Sequence, residues 1–312
     1  MNDKSKEEIK KVLYESEVVE TKFYTLKDMK VTMLDWPNNP YPSLVDMAMQ
    51  TWRSGSRKWS RLSPETRFEV VKLIMQKKVL PLAAEEPNFS FQVDRCSRAF
   101  FDQAARTRVG IVFSSAGQKD DNLHSIGFVL PSAILGTKYE EIIKNKVIEA
   151  KELYNDMYKS GIPNWSLRCI LPMYVEHNFM FAANLTAIQN LLSKRMETTE
   201  MEECVGFSIL VREAIKEKFP IFAEYLRPSC DWTKKDMTGP YNGFSSIIGV
   251  PHKSDMRHPG YNEIECPAKW DSPCTDIGLV EKMIGYHLPH PNEWIDFTWD
   301  TIPDIEKERF IK

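Results

Sequence analysis

Four arginines and one glutamine stand in unusually apolar company in this chain. On a helix over 184–195, an advance of about 100° per residue places Asn184, Ala187, Ile188, Leu191 and Arg195 on one face. A guanidinium at the end of such a stripe either reaches past it to water or faces a polar partner, because unpaired burial is costly. Gln103 poses the same question. It closes a stripe of Cys96, Ala99 and Phe100, and an amide buried there must be hydrogen-bonded. Arg106-Thr107-Arg108 follows directly, and if it runs into a strand, alternation sends both arginines to one side. Two forked guanidiniums can grip a phosphate there, or they form a solvated basic corner. Arg168 precedes Cys169-Ile170-Leu171-Pro172 in a segment with few other charges. Together these residues suit a nucleotide monophosphate. No phosphate-binding glycine loop, paired-glycine dinucleotide fingerprint or serine, cysteine or histidine nucleophile motif is present.

The elements that must position these residues are mixed. Val31–Asp35 reads as a strand closed by Trp36-Pro37-Asn38-Asn39-Pro40, and Ser43 opens a helix with Leu44, Met47, Ala48 and Trp52 on one side. Ser63-Pro64-Glu65 is a helix start, with a capping serine and proline at the first position. Phe89–Val93 alternates as a strand, and Asp94 is placed to cap a helix ending near Arg106. Arg108–Phe113 reads as strand and Ser114–Asn122 as loop. Tyr139–Tyr158 is a long amphipathic helix, with Ile142, Ile143, Val147, Ala150, Leu153, Tyr154 and Met157 on its apolar side and Gly161 closing it. A helical turn over 163–171, an apolar stretch over 174–183 and helices over 184–195 and 200–218 complete the pattern. Irregular mixing of helix and strand predicts an α+β fold rather than a doubly wound sheet.

With 312 residues, 42% of them hydrophobic, the chain can bury a full core. A net charge of −3 supplies no broad basic field, so direct nucleic-acid binding is not expected. No apolar run is long enough to span a bilayer, and the lysine- and glutamate-rich start lacks the apolar core of a signal peptide, so a cytoplasmic protein is expected. Cys96, Cys169 and Cys204 lie in apolar segments and read as reduced core thiols. Three regions are expected: an arm over 1–27, a main domain over 28–227, and a loop-rich extension over 228–312 in which proline, glycine, histidine and tryptophan rise. In that extension His252, His258, Cys266, Cys274, His287 and His290 could supply zinc ligands. Their spacing matches no compact cysteine pair, however, and no metal is expected. Trp270, Trp294 and Trp299 read as packing residues.

Order and spacing of several motifs resemble the flavin-dependent thymidylate synthases. These are Ser160-Gly161-Ile162-Pro163, Arg168-Cys169-Ile170-Leu171-Pro172, then Asn184, Asn190 and Arg195, and the helix ending Glu217-Lys218-Phe219-Pro220. Upstream, Phe89-Ser90-Phe91, Ser97-Arg98-Ala99, Gln103 and Arg106-Thr107-Arg108 resemble the family's strand, helix and signature turn. The resemblance spans about residues 30–227 and implies an α+β fold with a mainly antiparallel sheet flanked by long helices. It also implies FAD, methylenetetrahydrofolate as one-carbon donor, NADPH as reductant, and sites shared within a homotetramer. Carried over by position, Gln103, Ser115, Gln118, Arg168 and Arg195 would meet a pyrimidine deoxynucleoside monophosphate, with Arg195 at the base in the catalytic role. Arg106, Thr107, Arg108, Asn184 and Asn190 would surround the flavin.

The flavin half of the pattern is altered. Thr107 stands in place of the signature histidine, Glu86 lies where another histidine is usual, and Thr186 and Thr199 replace an arginine and a histidine beside the later helix. Ala116 and Gln118 occupy positions of a serine and an arginine, with Ser114 and Ser115 close by. The resemblance therefore implies methyl transfer to carbon 5 of a nucleotide such as dUMP, with two alternatives. One is a hydroxymethylase, if water rather than hydride meets the methylene intermediate. The other is an inactive relative that keeps nucleotide binding.

Overall fold

The computed structural model describes residues 4–5, 8, 21–50, 58–78, 81–115, 117, 127–197, 200–228, 275–290 and 293–312. Its centre is a four-stranded antiparallel sheet in the order β2 (Lys30–Asp35), β3 (Asn88–Ser97), β6 (Glu176–Asn184), β4 (Ile111–Ser115). A two-stranded parallel pair, β1 (Phe23–Tyr24) with β5 (Phe128–Val129), joins the chain entering β6, where the Glu176 N–H donates to the Gly127 carbonyl at 2.8 Å. This is the expected α+β architecture with a mainly antiparallel sheet.

Alternation along the strands decides which face is covered. Phe89, Phe91 and Val93 on β3 and Phe179, Phe181 and Ala183 on β6 point inward and are buried. Phe91 stacks on Phe181 at 4.8 Å between ring centroids. Under this face runs α7 (Glu202–Lys218), which is buried almost all round, and its Phe207 meets Phe100, Phe179 and Phe181. A helix apolar on every side needs partners on every side. The sheet supplies one; a second is α9 (Ile277–Ile284), which presents Val280 and Met283 to the same core.

Capping fixes the other helices. Ser63 accepts the Thr66 N–H ahead of Pro64 and starts α2 (Pro64–Met75), as the sequence predicts. Helix α1 (Tyr41–Gln50) begins before Ser43, and its Met47 is exposed, while Trp52 lies outside the described residues. The last helix, α10 (Asp304–Ile311), returns to the N-terminal half of the chain. There Phe310 stacks on Tyr41 at 4.3 Å, and the Tyr41 hydroxyl donates to the buried Glu306 carboxylate at 2.6 Å. Trp294 and Trp299 pack against the core, and Trp270 lies outside the described residues.

Three sequence expectations are corrected. Asp94 caps no helix: β3 continues to Ser97 through a register shift between Val93 and Cys96, with Arg95 at φ +59°. That bulge resets the alternation and buries both Cys96 and Ser97, so Ser97 becomes the cap of α3 (Arg98–Ala104), accepting the Phe100 N–H at 3.0 Å. The strand read over Arg108–Phe113 starts three residues later, at Ile111, and runs on through Ser114 and Ser115, where the sequence predicts loop. Cys169 is exposed, although Cys96 and Cys204 are buried free thiols as expected. Helix α4 (Tyr139–Lys159) forms where predicted, with Gly161 at φ +80° beyond it. Its apolar side is only partly covered: Val147 and Tyr154 are buried in two small clusters, while Ile142 and Leu153 stand exposed.

Candidate nucleotide site along helix α6

Helix α6 (Leu185–Arg195) is the spine of the candidate site. It starts where β6 ends, because the Asn184 side chain accepts the Ala187 N–H at 2.8 Å and turns the chain out of the sheet. Ala187, Ile188 and Leu191 are buried as the helical stripe requires, and Arg195 emerges at the last turn. Antiparallel to this helix runs the connection from α3 to β4. Its start touches the far end of α6, where the Gln103 carbonyl accepts from Arg195 Nη2 at 2.8 Å. Its end touches the near end, where the Gly110 carbonyl accepts the Asn184 N–H at 3.2 Å. A helix of this length spans about 16 Å, so the segment from Gln103 to Gly110 is stretched along it.

Gly110 makes that close approach possible. It sits at φ +74°, and a Cβ there would come within 2.8 Å of Asn184 Nδ2 and 2.9 Å of the Ala187 Cβ. Between the two anchors, Arg106 and Arg108 are exposed and Thr107 is half-buried. Because these residues form a turn rather than a strand, exposure and not strand alternation frees the two guanidiniums. Neither makes an ion pair among the described residues, and Arg108 Nε donates only to the Ala105 carbonyl, at 3.4 Å.

Arg195 does have a partner, and the sequence reading missed it. Nη1 donates to Glu200 Oε2 at 2.7 Å, with both side chains largely shielded, at 13% and 18% exposure. Glu200 is held in turn where its carbonyl accepts from the Thr275 hydroxyl at 2.6 Å. The carboxylate and the Gln103 carbonyl fix the plane of the guanidinium and leave Nε buried with no hydrogen-bond partner. Such an orphaned donor is uncommon in a folded protein. Gln103 is half-buried, and its side-chain amide makes no hydrogen bond among the described residues. The signal for Glu200 was present as the acidic run before α7, but nothing local indicated which carboxylate would turn back to Arg195.

Two further buried charges support this region. Lys77, in the left-handed region at φ +57°, donates from Nζ to Asn190 Oδ1 at 3.4 Å, so Asn190 is engaged from below. Burial pulls the Lys77 ammonium down to about 8. Glu203 accepts both the Ser97 N–H, at 2.7 Å, and the Ser97 hydroxyl, at 2.6 Å, and so anchors the start of α3. Burial pushes its carboxyl up to about 7 against those two bonds.

Not every expected residue joins this strip. Arg168 is exposed on the 3-10 turn Arg168–Ile170, where Nε donates to the Trp165 carbonyl at 3.1 Å, and no hydrogen bond or ion pair links it to Gln103 or Arg195. Ser115 is exposed at the end of the edge strand β4, and Gln118 lies outside the described residues. A cavity of about 690 Å³ lies beyond the opposite sheet edge, where Val31, Trp36, Glu213 and Tyr286 are among its lining residues, and it collects none of the site residues. Among the described residues, then, the strip is an open cationic ledge rather than a closed pocket.

Residues 33–221 match the family model described as thymidylate synthase complementing protein. This chain belongs to that family. Its membership is divergent. The flavin-dependent thymidylate synthase of Pyrococcus abyssi is 24% identical over 221 residues, covering 66% of this chain and 84% of that protein. The enzyme of the same name from Saccharolobus solfataricus is 24% identical over 148 residues, and the match spans only 56% of its length. Among solved structures, a UMP/dUMP methylase from Streptomyces cacaoi bound with 5-Br dUMP superposes with a TM-score of 0.54 at 14% identity, covering 65% of this chain and 96% of that one. At that identity the likeness establishes the fold. The family match begins in β2 and ends in α8 (Pro220–Glu224), so it contains every element of the α6 ledge and excludes residues 275–312.

Proposed function

We propose that this member of the thymidylate synthase complementing protein family transfers a one-carbon unit to carbon 5 of a pyrimidine deoxynucleotide such as dUMP. The observation that carries this reading is the Arg195 guanidinium at the end of α6, fixed in plane by Glu200 and the Gln103 carbonyl. Preset donors of this kind are suited to polarising a pyrimidine carbonyl and stabilising charge as it develops on the ring. Arg168, carried on an exposed turn, would reach the phosphate of a nucleotide held by a neighbouring subunit. The uncovered Ile142 and Leu153 of α4 support such an assembly, a homotetramer with shared sites.

The arginines of the ledge also fit a flavin dinucleotide. Arg106 and Arg108 present two unpaired cations on one turn, the arrangement a diphosphate requires, beside Asn184 and within reach of α6. When bound, reduced flavin would supply the hydride that completes a methyl group, with NADPH as its reductant and methylenetetrahydrofolate as the one-carbon donor. Thr107, half-buried between the arginines, offers a hydroxyl where a larger imidazole is usual in the family, and the smaller group would leave room for water near a nucleotide bound on this turn. That substitution supports a hydroxymethyl product as the second reading.

The test is an assay of purified protein with dUMP or dCMP, methylenetetrahydrofolate, FAD and NADPH, read by mass spectrometry of the nucleotide. A methyl product supports the first reading, and a product heavier by one oxygen the second. Arg195→Ala should abolish turnover and weaken nucleotide binding at least tenfold. Glu200→Gln should weaken it less, because it frees the guanidinium without removing it. A protein that binds neither nucleotide, or whose binding is indifferent to Arg195→Ala, refutes the proposal.

A further inference from the structure

Beyond the family match, the segment after α9 brings together two histidines and two glutamates that the proposed reaction does not use. Helix α9 ends at Gly285, at φ +77°, and the chain then folds back over the last turn of the helix. Glu281 of that turn lies 3.0 Å from His287 Nδ1 through the same oxygen, Oε1, that accepts the Leu288 N–H at 2.7 Å. A carboxylate at Nδ1 favours the proton there and leaves Nε2, which faces Glu293, as the ring atom a cation between the two would take. His287 Nε2 lies 2.9 Å from Glu293 Oε2, which also accepts the His290 N–H at 2.6 Å. The His290 ring lies 5.5 Å from that of His287, and one donor atom from each of His287, His290 and Glu293 falls within 4.8 Å of the others.

We propose that His287, His290 and Glu293 bind a zinc ion, with Glu281 as the positioning residue that orients His287. Two imidazoles and one carboxylate make an open zinc donor set with a fourth position for water. Bonds of about 2.0–2.1 Å in a tetrahedron place donor atoms roughly 3.3 Å apart, a spacing these exposed side chains reach by small rotations. Calcium and magnesium, which favour oxygen ligands, fit this set poorly. The site would clip the loop to α9 just before Trp294 and Ile295. Trp294 covers the buried Arg212 guanidinium at 5.0 Å, and the Ile295 N–H donates to Glu224 Oε2 at 2.9 Å. Zinc would therefore stabilise the strap that seals one end of the core.

The experiment uses the full chain, stripped with a chelator and titrated with Zn²⁺, with thermal unfolding followed in parallel. One equivalent should bind and raise Tm. His290→Ala and Glu293→Gln should each lose that equivalent while leaving the Tm of the stripped protein within about 1 °C of the parent, and Glu281→Gln should weaken binding by roughly tenfold or more. The chain's cysteines make Co²⁺ a necessary second probe: ligand-field bands without thiolate charge transfer support this donor set. Absence of zinc binding, binding unchanged in His290→Ala, or a thiolate charge-transfer band overturns the proposal.

Discussion

Replacing Glu203 by glutamine should remove a slope from the stability of this fold between about pH 4.5 and 7. The Glu203 carboxylate is 1% exposed, and loss of water there raises its pKa from 4.5 to about 7 against the two bonds from Ser97, with the charge of Glu202 adding to the rise. The folded protein therefore keeps this proton up to about pH 7, whereas the unfolded chain releases it near 4.5. Stability from this group is full at the acid end, falls as pH rises through the interval, and is lowest above pH 7. At about 1.4 kcal/mol per pKa unit, the total swing is about 3 kcal/mol. In Glu203→Gln the amide carbonyl can still accept the Ser97 N–H, and the NH2 can donate to Ser97 Oγ, so the anchor survives without a titrating charge. Thermal unfolding at pH 5, 6, 7 and 8 reads the difference directly. The variant should gain on the parent as pH rises, by roughly 5 °C between pH 5 and 8, where about 2.5 kcal/mol of the swing falls, at about 2 °C per kcal/mol. A Tm difference that stays constant within about 1 °C refutes the reasoning. Because Ser97 caps the helix that carries Gln103, Glu203→Ala, which strands both Ser97 donors, should weaken nucleotide binding where Glu203→Gln does not.

Two further changes probe the scaffold. Gly110→Ala places a Cβ within 2.8 Å of Asn184 Nδ2 in a left-handed residue. It should cost roughly 2–3 kcal/mol, seen as a lower Tm, and reduce flavin retention in a gel-filtered sample, since the α3–β4 connection must lift away from α6. Tyr41→Phe removes the donor to the fully buried Glu306. It should cost about 1–3 kcal/mol and speed protease cleavage near residues 300–312, which limited proteolysis with mass mapping would detect.

Much of this organisation is written in local sequence. Ser63-Pro64, the alternation from Phe89 to Val93 and the apolar repeat of α4 each fix an element through its own periodicity or cap, and the stripe ending in Arg195 fixes α6. The motif order from Gln103 to Arg195 likewise resembles that of the family before any contact is seen, and the match over residues 33–221 bears the resemblance out. What the sequence leaves open depends on where the closed core turns each chain segment, even for partners only five or six residues apart. The bulge at Arg95 moves a helix start from Asp94 to Ser97, because pairing with β6 holds β3 extended for longer than local capping signals suggest. Tertiary structure likewise chose Glu200 as the partner of Arg195, laid the Gln103–Gly110 segment along α6, and brought Glu281 to His287. A buried charge or donor must find its partner wherever packing brings one, and that search is solved only once the whole core has closed.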